Sequence, residues 1–379
     1  MGIDASNLRA GGGVTHLTEL LRSAEPGAHG VDEVVVWGGA ATLKQLPERG
    51  WLRLAHEGLL DRALPFRVAW QACRLPSLAR RGCDVLFSPG GAMQPDGMPR
   101  VVMCQNMLPF ESAERARFGV SALGLKLRVL ERSQGGAFHR ADGVIFLTRY
   151  AREVVQRRIG RLHGAQAVIA HGIGSEFSVA PRPVKAAEWY SIERPFQIVY
   201  VSIIAPYKHQ WRVAEAVAAL RSSGCPVTLD LIGPSYSSTY RRLGEVLRRV
   251  DPDRRFIRYR GPVNHRDLVA RYRDADAFVF ASSCENLPII LLEAMASGLP
   301  IACSNRGPMP EVLGNAGIYF DPEDDVSIQA AVRSLLLDSQ LRERCAWAAY
   351  ERSKGFSWRK CANETFAFIS RVVQWRRGG

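Results

Sequence analysis

Strand-like runs of β-branched and large apolar residues alternate with amphipathic helical stretches along most of the chain, and the alternation restarts once, after a polar, proline-containing bridge at 177–195. In the first half the runs are Glu33-Val34-Val35-Val36-Trp37, Asp84-Val85-Leu86-Phe87, Arg100-Val101-Val102-Met103 and Gly143-Val144-Ile145-Phe146-Leu147. Helical spacing predicts helices over 14–23, 65–75, 122–138 and 149–160. In the second half the runs begin at Phe196, Thr228, Phe256, Ala277 and Pro300, with helices predicted over 211–222, 240–250, 265–272 and 289–297. Apolar runs joined by helices call for parallel sheets covered on both faces, so the expected fold is α/β, with two doubly wound, Rossmann-like domains. The expected boundaries are 1–177 and 196–355. A final amphipathic helix within 356–379 is expected to cross back to the first domain. The first strand, Ile3-Asp4-Ala5, is short for a central position, which leaves open a start further upstream.

Composition narrows the class. A chain of 379 residues, 47% hydrophobic and 23% charged, holds two ordinary globular domains and is neither disordered nor collagen-like. It contains no run of the roughly 18–20 apolar residues that a spanning helix needs, and its first residues lack the order of a signal peptide. The expected location is therefore the cytoplasm. Eight cysteines are scattered singly without a C-x-x-C, which argues for reduced thiols and against a zinc or disulfide framework. Fifty Lys+Arg against 37 Asp+Glu leave a net charge of +13, and eleven of those cations fall between 111 and 161 against five acids. Such a surface attracts nucleotide phosphates, anionic lipid or nucleic acid. No aromatic-basic RNA motif or helix-turn-helix pattern supports the last of these.

In open α/β sheets, ligands bind beyond the carboxyl ends of the strands, where helix N-termini offer free N–H groups to anions. Gly11-Gly12-Gly13 follows the first strand and lets a backbone approach a phosphate or sugar closely. It is not a dinucleotide fingerprint, because His16 stands where the third glycine of that motif belongs. The second place is Phe280-Ala281-Ser282-Ser283-Cys284-Glu285-Asn286-Leu287-Pro288, running into a helix that Gly298 stops. Pro288 suits the first turn of that helix. Glu285 sits on the loop, and Glu293 lies in the apolar helix, where an inward carboxylate demands a ligand or cation. Lys208, just after the Phe196 strand, can reach a diphosphate held at the strand ends. Asp274 and Asp276 precede their strand and so lie at the opposite sheet edge, which argues against a metal role.

Taken together, E-N-L-P-I-I-L-L-E-A-M-A-S-G-L-P with its Glu285 and Glu293, the preceding F-V-F-A-S-S, the Lys208 loop, the glycine loop and I-A-H-G-I-G-S-E-F resemble family 4 glycosyltransferases. These are retaining enzymes of the GT-B fold, whose two domains face across a cleft, and they use nucleotide-sugar donors. The resemblance implies that Glu293 accepts hydrogen bonds from the donor ribose and that Glu285, with Asn286 and Leu287, holds the transferred sugar. Lys208, the backbone at Ile289, and Gly12 and Gly13 would serve the diphosphate, and Val263 would lie by the base. The donor is a co-substrate, and the resemblance implies neither a further cofactor nor a metal. Glu285→Gln is expected to lower turnover by orders of magnitude with little loss of fold, because Glu285 sits on a loop.

Several residues depart from the family pattern. Ile203 replaces a frequent arginine, leaving Arg306 or Arg9 as the cation that assists Lys208. Asn286 and Pro288 replace frequent glycines, and Gln105 replaces a frequent histidine, with Gln105 and Asn106 expected to line the cleft. The block N-M-L-P-F-E resembles a subgroup that builds bacterial surface polysaccharides such as O-antigen on lipid carriers, often from GDP-mannose. That resemblance implies a lipid-linked saccharide acceptor and peripheral contact of the basic segment with an anionic inner-membrane surface, without nucleic acid. UDP-sugar transfer, nucleotide-sugar epimerisation on the same fold, and a degenerate sugar-binding partner are the alternatives.

Overall fold

The computed structural model describes residues 1–9, 11–91, 97–235 and 237–378. The backbone gathers into two compact units, Met1–Gly172 with Ser357–Gly379, and Ile173–Phe356.

The first unit holds β1 (Gly2–Asp4), β2 (Val34–Gly38), β3 (Leu52–His56), β4 (Leu86–Ser88), β5 (Arg100–Met103), β6 (Gly143–Phe146) and β7 (Ala165–Val168). They form one seven-stranded sheet in the order β3-β2-β1-β4-β5-β6-β7, with parallel neighbours throughout. The order reverses between β1 and β4, which puts the topological switch point there. The central β1 ends on Asp4, which is buried and pinned. Its carboxylate accepts hydrogen bonds from Ser6 N at 3.0 Å and Gln71 Nε2 at 2.9 Å, which satisfies a group that burial would otherwise make costly. The final helix, Trp358–Gly378, packs on β6. A Cβ on Gly143 would stand 2.8 Å from Val372 Cγ2 and 3.0 Å from Phe368 Cε1, so the helix comes this close only because residue 143 has no side chain.

The second unit holds β8 (Phe196–Val201), β9 (Val227–Ile232), β10 (Ile257–Gly261), β11 (Ala277–Phe280), β12 (Ile301–Ser304) and β13 (Ile318–Phe320). This six-stranded parallel sheet has the order β10-β9-β8-β11-β12-β13, with its switch point between β8 and β11. The bridge expected at 177–195 is part of this unit and is not a free linker. Phe177 packs edge-on to His265 and Tyr272, at 5.1 and 5.8 Å between ring centroids, and Tyr190 packs on Phe196 at 5.1 Å. Asp276 tethers the same segment, accepting from Tyr190 Oη at 3.2 Å and from Gln197 N at 2.9 Å. Asp276 is thus a structural anchor of the bridge. Three strands were not expected from the sequence: β3, β7 and β13. Each is an edge strand of its sheet, and two of them, β3 and β7, carry no fully buried residue.

All eight cysteines are free thiols, five of them buried. Among the described residues, no helix is long and apolar enough to cross a membrane, and no group of His, Cys, Asp and Glu could hold a metal ion.

Candidate active site

The loops that leave β8 and β11 meet at the switch point of the second unit, and a chain of hydrogen bonds joins them. Ser283 N donates to Tyr207 O at 2.8 Å, and the Ser282 and Ser283 hydroxyls donate to the same carbonyl at 3.4 and 3.3 Å. His209 Nε2 lies 2.9 Å from Ser283 Oγ; because that hydroxyl donates to Tyr207 O, it accepts from the imidazole. His209 adopts the left-handed conformation (φ 50°) as the N-cap of the helix Gln210–Ser222, a geometry that a non-glycine residue holds only when its surroundings impose it. Tyr200 Oη donates to Lys208 O at 2.5 Å, fixing the turn from below. None of Ser282, Ser283, His209 or Tyr200 was singled out from the sequence. The legible signal was the pair of small hydroxyls directly after a strand.

This frame sets the two charged residues expected to serve the donor. Lys208 Nζ donates to Glu285 Oε1 in an ion pair whose side chains are 5% and 15% exposed. The ammonium also lies 5.3 Å from the ring centroids of Tyr207 and Phe280. Glu285 is on a loop, as expected, yet it is the counter-ion of a buried lysine. Removing it leaves an unpaired buried charge, so the expectation of little cost in stability is corrected.

Glu293 projects from the helix Ile289–Ala296, half-buried, and accepts from Tyr272 Oη at 3.1 Å. Burial pushes its carboxyl up to about 7, the Tyr272 hydrogen bond opposes that, and the nearby Glu176 carboxylate adds to it. The inward glutamate expected to require a ligand or cation is accommodated instead by a phenol and by a readiness to take a proton. Pro288 is the N-cap of this helix and not its first residue, and it brings no capping side chain. Leu291 N and Leu292 N donate to Pro288 O at 3.0 and 3.3 Å, while the N–H groups of Ile289 and Ile290 have no carbonyl one turn back within the helix and can receive an anion. Gly298, at φ 65°, ends the helix against Pro181, whose N would lie 2.7 Å from a Cβ there.

The other expected donor residues, Arg9, Gly12 and Gly13 apart, belong to the second unit. Gly261 ends β10 at φ 69° and Val263 is half-buried beyond it, with Gly233 N donating to Gly261 O at 2.9 Å. Asn286 and Leu287 are buried beside Glu285. Ile203 offers only its carbonyl, which accepts from Gln210 Nε2 at 2.9 Å. Arg306, named to replace the missing arginine, has its guanidinium on Asp321 at 2.7 Å, at a half-exposed position. Arg9, the other candidate, lies in the first unit and donates to Asp61 O at 3.4 Å.

The first unit brings together residues that the sequence suggested separately. A Cβ on Gly13 would stand 2.8 Å from Gln105 Oε1 and 2.9 Å from Leu8 Cδ2, whereas Gly12 faces open space. Gly13 and Gln105 therefore form one surface at the carboxyl ends of β1 and β5. Asn106 turns its side chain back to accept from Leu108 N at 3.1 Å, closing its own loop. His16, noted only for breaking a glycine motif, lies buried with its Nδ1 2.7 Å from His171 Nδ1, and both rings pack on Trp358 at 5.7 Å.

Residues 182–352 match the family model described as Glycosyl transferases group 1. The chain is similar to O-antigen chain mannosyltransferase B of Escherichia coli, 39% identical over 110 residues that make up 29% of each protein. It is also similar to the serotype-specific mannosyltransferase WbdA of Escherichia coli, 26% identical over 285 residues, 72% of this chain and 34% of that one. The chain thus spans less than half the length of these curated relatives. Among solved structures, sucrose-phosphate synthase from Thermosynechococcus elongatus superposes with a TM-score of 0.72 at 17% identity, covering 100% of this chain and 98% of that one. WaaG, a glycosyltransferase involved in lipopolysaccharide biosynthesis, gives 0.70 at 17% identity over 97% and 99%. These likenesses establish the fold, the GT-B class of two Rossmann-like units. Lys208, Glu285 and Glu293 all lie within the segment 182–352 that matches the glycosyl transferases group 1 model.

Proposed function

We propose that the protein is a retaining glycosyltransferase that moves a hexose from a nucleotide-sugar donor, GDP-mannose or a related GDP-sugar, to a lipid-linked saccharide during assembly of a bacterial surface polysaccharide. The observation that carries this reading is the Lys208–Glu285 pair at the β8/β11 switch point, ahead of a helix that holds Glu293. A free site with this pairing keeps a cation and a hydrogen-bond acceptor pre-placed and mutually neutral. When a donor enters, its diphosphate takes the Lys208 ammonium and the first N–H groups of the helix Ile289–Ala296. Glu285 is then released to accept from hydroxyls of the sugar. Glu293, once ionised, accepts from the ribose hydroxyls.

Transfer breaks the bond from the anomeric carbon to the phosphate oxygen while the acceptor oxygen attacks on the same face. The departing phosphate takes the acceptor proton. Positioning and neutralisation of the leaving charge by Lys208 supply most of the barrier reduction, with no metal in the step. The mannosyltransferase relatives support the choice of donor and acceptor class. Exposed Leu123, Leu125 and Val129, interleaved with Lys126 and Arg128 on one helix, support peripheral contact with the inner face of an anionic membrane.

The test is transfer of radiolabelled mannose from GDP-mannose into a lipid-extractable saccharide, with the anomeric configuration of the product read by NMR. Retained configuration with loss of transfer in Glu285→Gln is the expected result. Inverted product, or unchanged transfer in that variant, would remove the reading.

A further inference from the structure

A basic site lies in the first unit, on residues other than those of the donor loops. The helix Ala122–Arg140, the segment before it and the helix Arg149–Ile159 enclose an open concavity of about 550 Å³. Arg115, Arg128, Arg132 and Arg158 line it with a single carboxylate, Glu131, leaving a formal excess of three positive charges. Glu131 is spent internally: its two oxygens receive Arg115 and Arg158. Burial would raise its carboxyl, but the hydrogen bonds from Arg158 and Arg115 outweigh that and hold it below the ordinary range. Arg115 Nη1 also donates to Pro109 O at 2.8 Å, so this guanidinium is locked in place. His139 Nε2 lies 2.9 Å from Ile159 O and must donate to it, which turns Nδ1 away from that bond. Among the described residues, Arg128 and Arg132 have no carboxylate partner.

The floor is unusual for a helix interior. Gly135 and Gly136 stand together in mid-helix, at a propensity cost of about 1 kcal/mol each relative to alanine. Packing accounts for Gly135, whose Cβ would stand 3.2 Å from Ile159 Cγ2. At Gly136 a Cβ would meet only the Arg140 guanidinium, at 3.3 Å. That glycine leaves the floor without a side chain. Leu125 and Val129, 64% and 56% exposed, sit one helical turn from Arg128 and Arg132 and supply an apolar margin.

We infer that this concavity is a binding site for a phosphate or diphosphate group. Guanidinium groups held at Arg115 and Arg158 and the exposed arginines Arg128 and Arg132 present the paired donors that phosphate oxygens accept. The inference stands whether or not the donor reading holds, because it rests on residues of the other unit.

The test compares the full chain with the double variant Arg128→Ala/Arg132→Ala, which removes only arginines without carboxylate partners and so keeps the fold. Two probes are used: inorganic pyrophosphate by calorimetry, and flotation with vesicles of phosphatidylglycerol or of phosphatidylcholine alone. The control variant Arg333→Ala/Arg344→Ala removes the same charge from exposed positions of the other unit. The site variant is expected to lose affinity at least tenfold where the control loses little, and donor nucleotide binding is expected to stay unchanged. Loss with pyrophosphate alone would identify a soluble phosphate as the ligand. Loss with phosphatidylglycerol vesicles alone would identify a lipid-borne one, and loss with both would identify the group itself. Equal behaviour of the site variant and the wild type with both probes, or an equal loss in the control, overturns the inference.

Discussion

Lys208 and Glu285, 77 residues apart in sequence, form an ion pair across the loops that leave the neighbouring strands β8 and β11. Breaking such a buried pair by removing one partner costs about 3–5 kcal/mol, because the remaining charge is uncompensated. Glu285→Gln is therefore expected both to lower turnover, on the order of 100–1,000-fold for a lost charge-stabilising group, and to destabilise the second unit. The double variant Lys208→Met/Glu285→Gln should recover most of the stability and none of the turnover. Chemical denaturation of the four proteins in this cycle, alongside transfer assays, checks both halves. A double variant no more stable than Glu285→Gln would show that the pair is not the source of the cost.

Glu293 yields a pH prediction. Its carboxyl, pushed up to about 7 by burial, must be ionised to accept hydrogen bonds from two ribose hydroxyls. Nucleotide affinity should therefore fall as pH drops through 7, and binding near neutrality should release a proton, which calorimetry in buffers of different ionisation enthalpy detects. The stability sign is opposite. A carboxyl raised in the folded state contributes stability below its ordinary value near 4.5 and loses that contribution as pH rises toward 7. Glu293→Gln should accordingly raise the Tm of the free protein at pH 8 while weakening nucleotide binding.

The His16–His171 pair makes the first unit sensitive to acid. Burial pushes His171 down from 6.5 to about 4, and burial with the facing His171 holds His16 well below its ordinary value. The unfolded chain takes up these protons first, so stability is complete above pH 6.5 and falls between there and about 4. For His171 alone the loss is roughly 2–4 kcal/mol. Denaturation midpoints between pH 7.5 and 4.5 should fall steeply in the wild type and less so in His171→Asn, and parallel slopes would contradict the assignment.

Gly12 and Gly13 should differ under the same substitution. Gly12→Ala places its methyl in open space and should be neutral or slightly stabilising. Gly13→Ala meets Gln105 Oε1 and Leu8 Cδ2 and should displace the glutamine, lowering transfer with the fold intact. Thermal melts paired with transfer rates separate the two, and equal rates would detach Gln105 from the reaction.

The central strands were legible because strands buried on both faces read as unbroken apolar runs, as in Ile198–Val201 within β8 and Ala277–Phe280. The edge strands were not. Leu52–His56 has no buried residue, does not alternate its exposure and contains Arg53 and His56, so nothing distinguishes it from a surface loop. Lys208, Glu285 and Glu293 were legible as residue types at strand ends and in an apolar helix. Their pairing was not, because it depends on the β8/β11 neighbour relation that only the sheet order supplies. The same applies to Gly13 with Gln105 and to His16 with His171, contacts separated by 155 residues in the latter case. The pairing of Arg306 with Asp321, which lies on the far side of β13 in sequence, was likewise not legible.

The measurement closest to the central claim is calorimetric titration of GDP, UDP, ADP and dTDP, without metal, into the wild type and Glu293→Ala. The account predicts micromolar binding of GDP in preference to the others, weakened at least tenfold in the variant. Absence of binding by any of the four, or equal affinity in the two proteins, would contradict it.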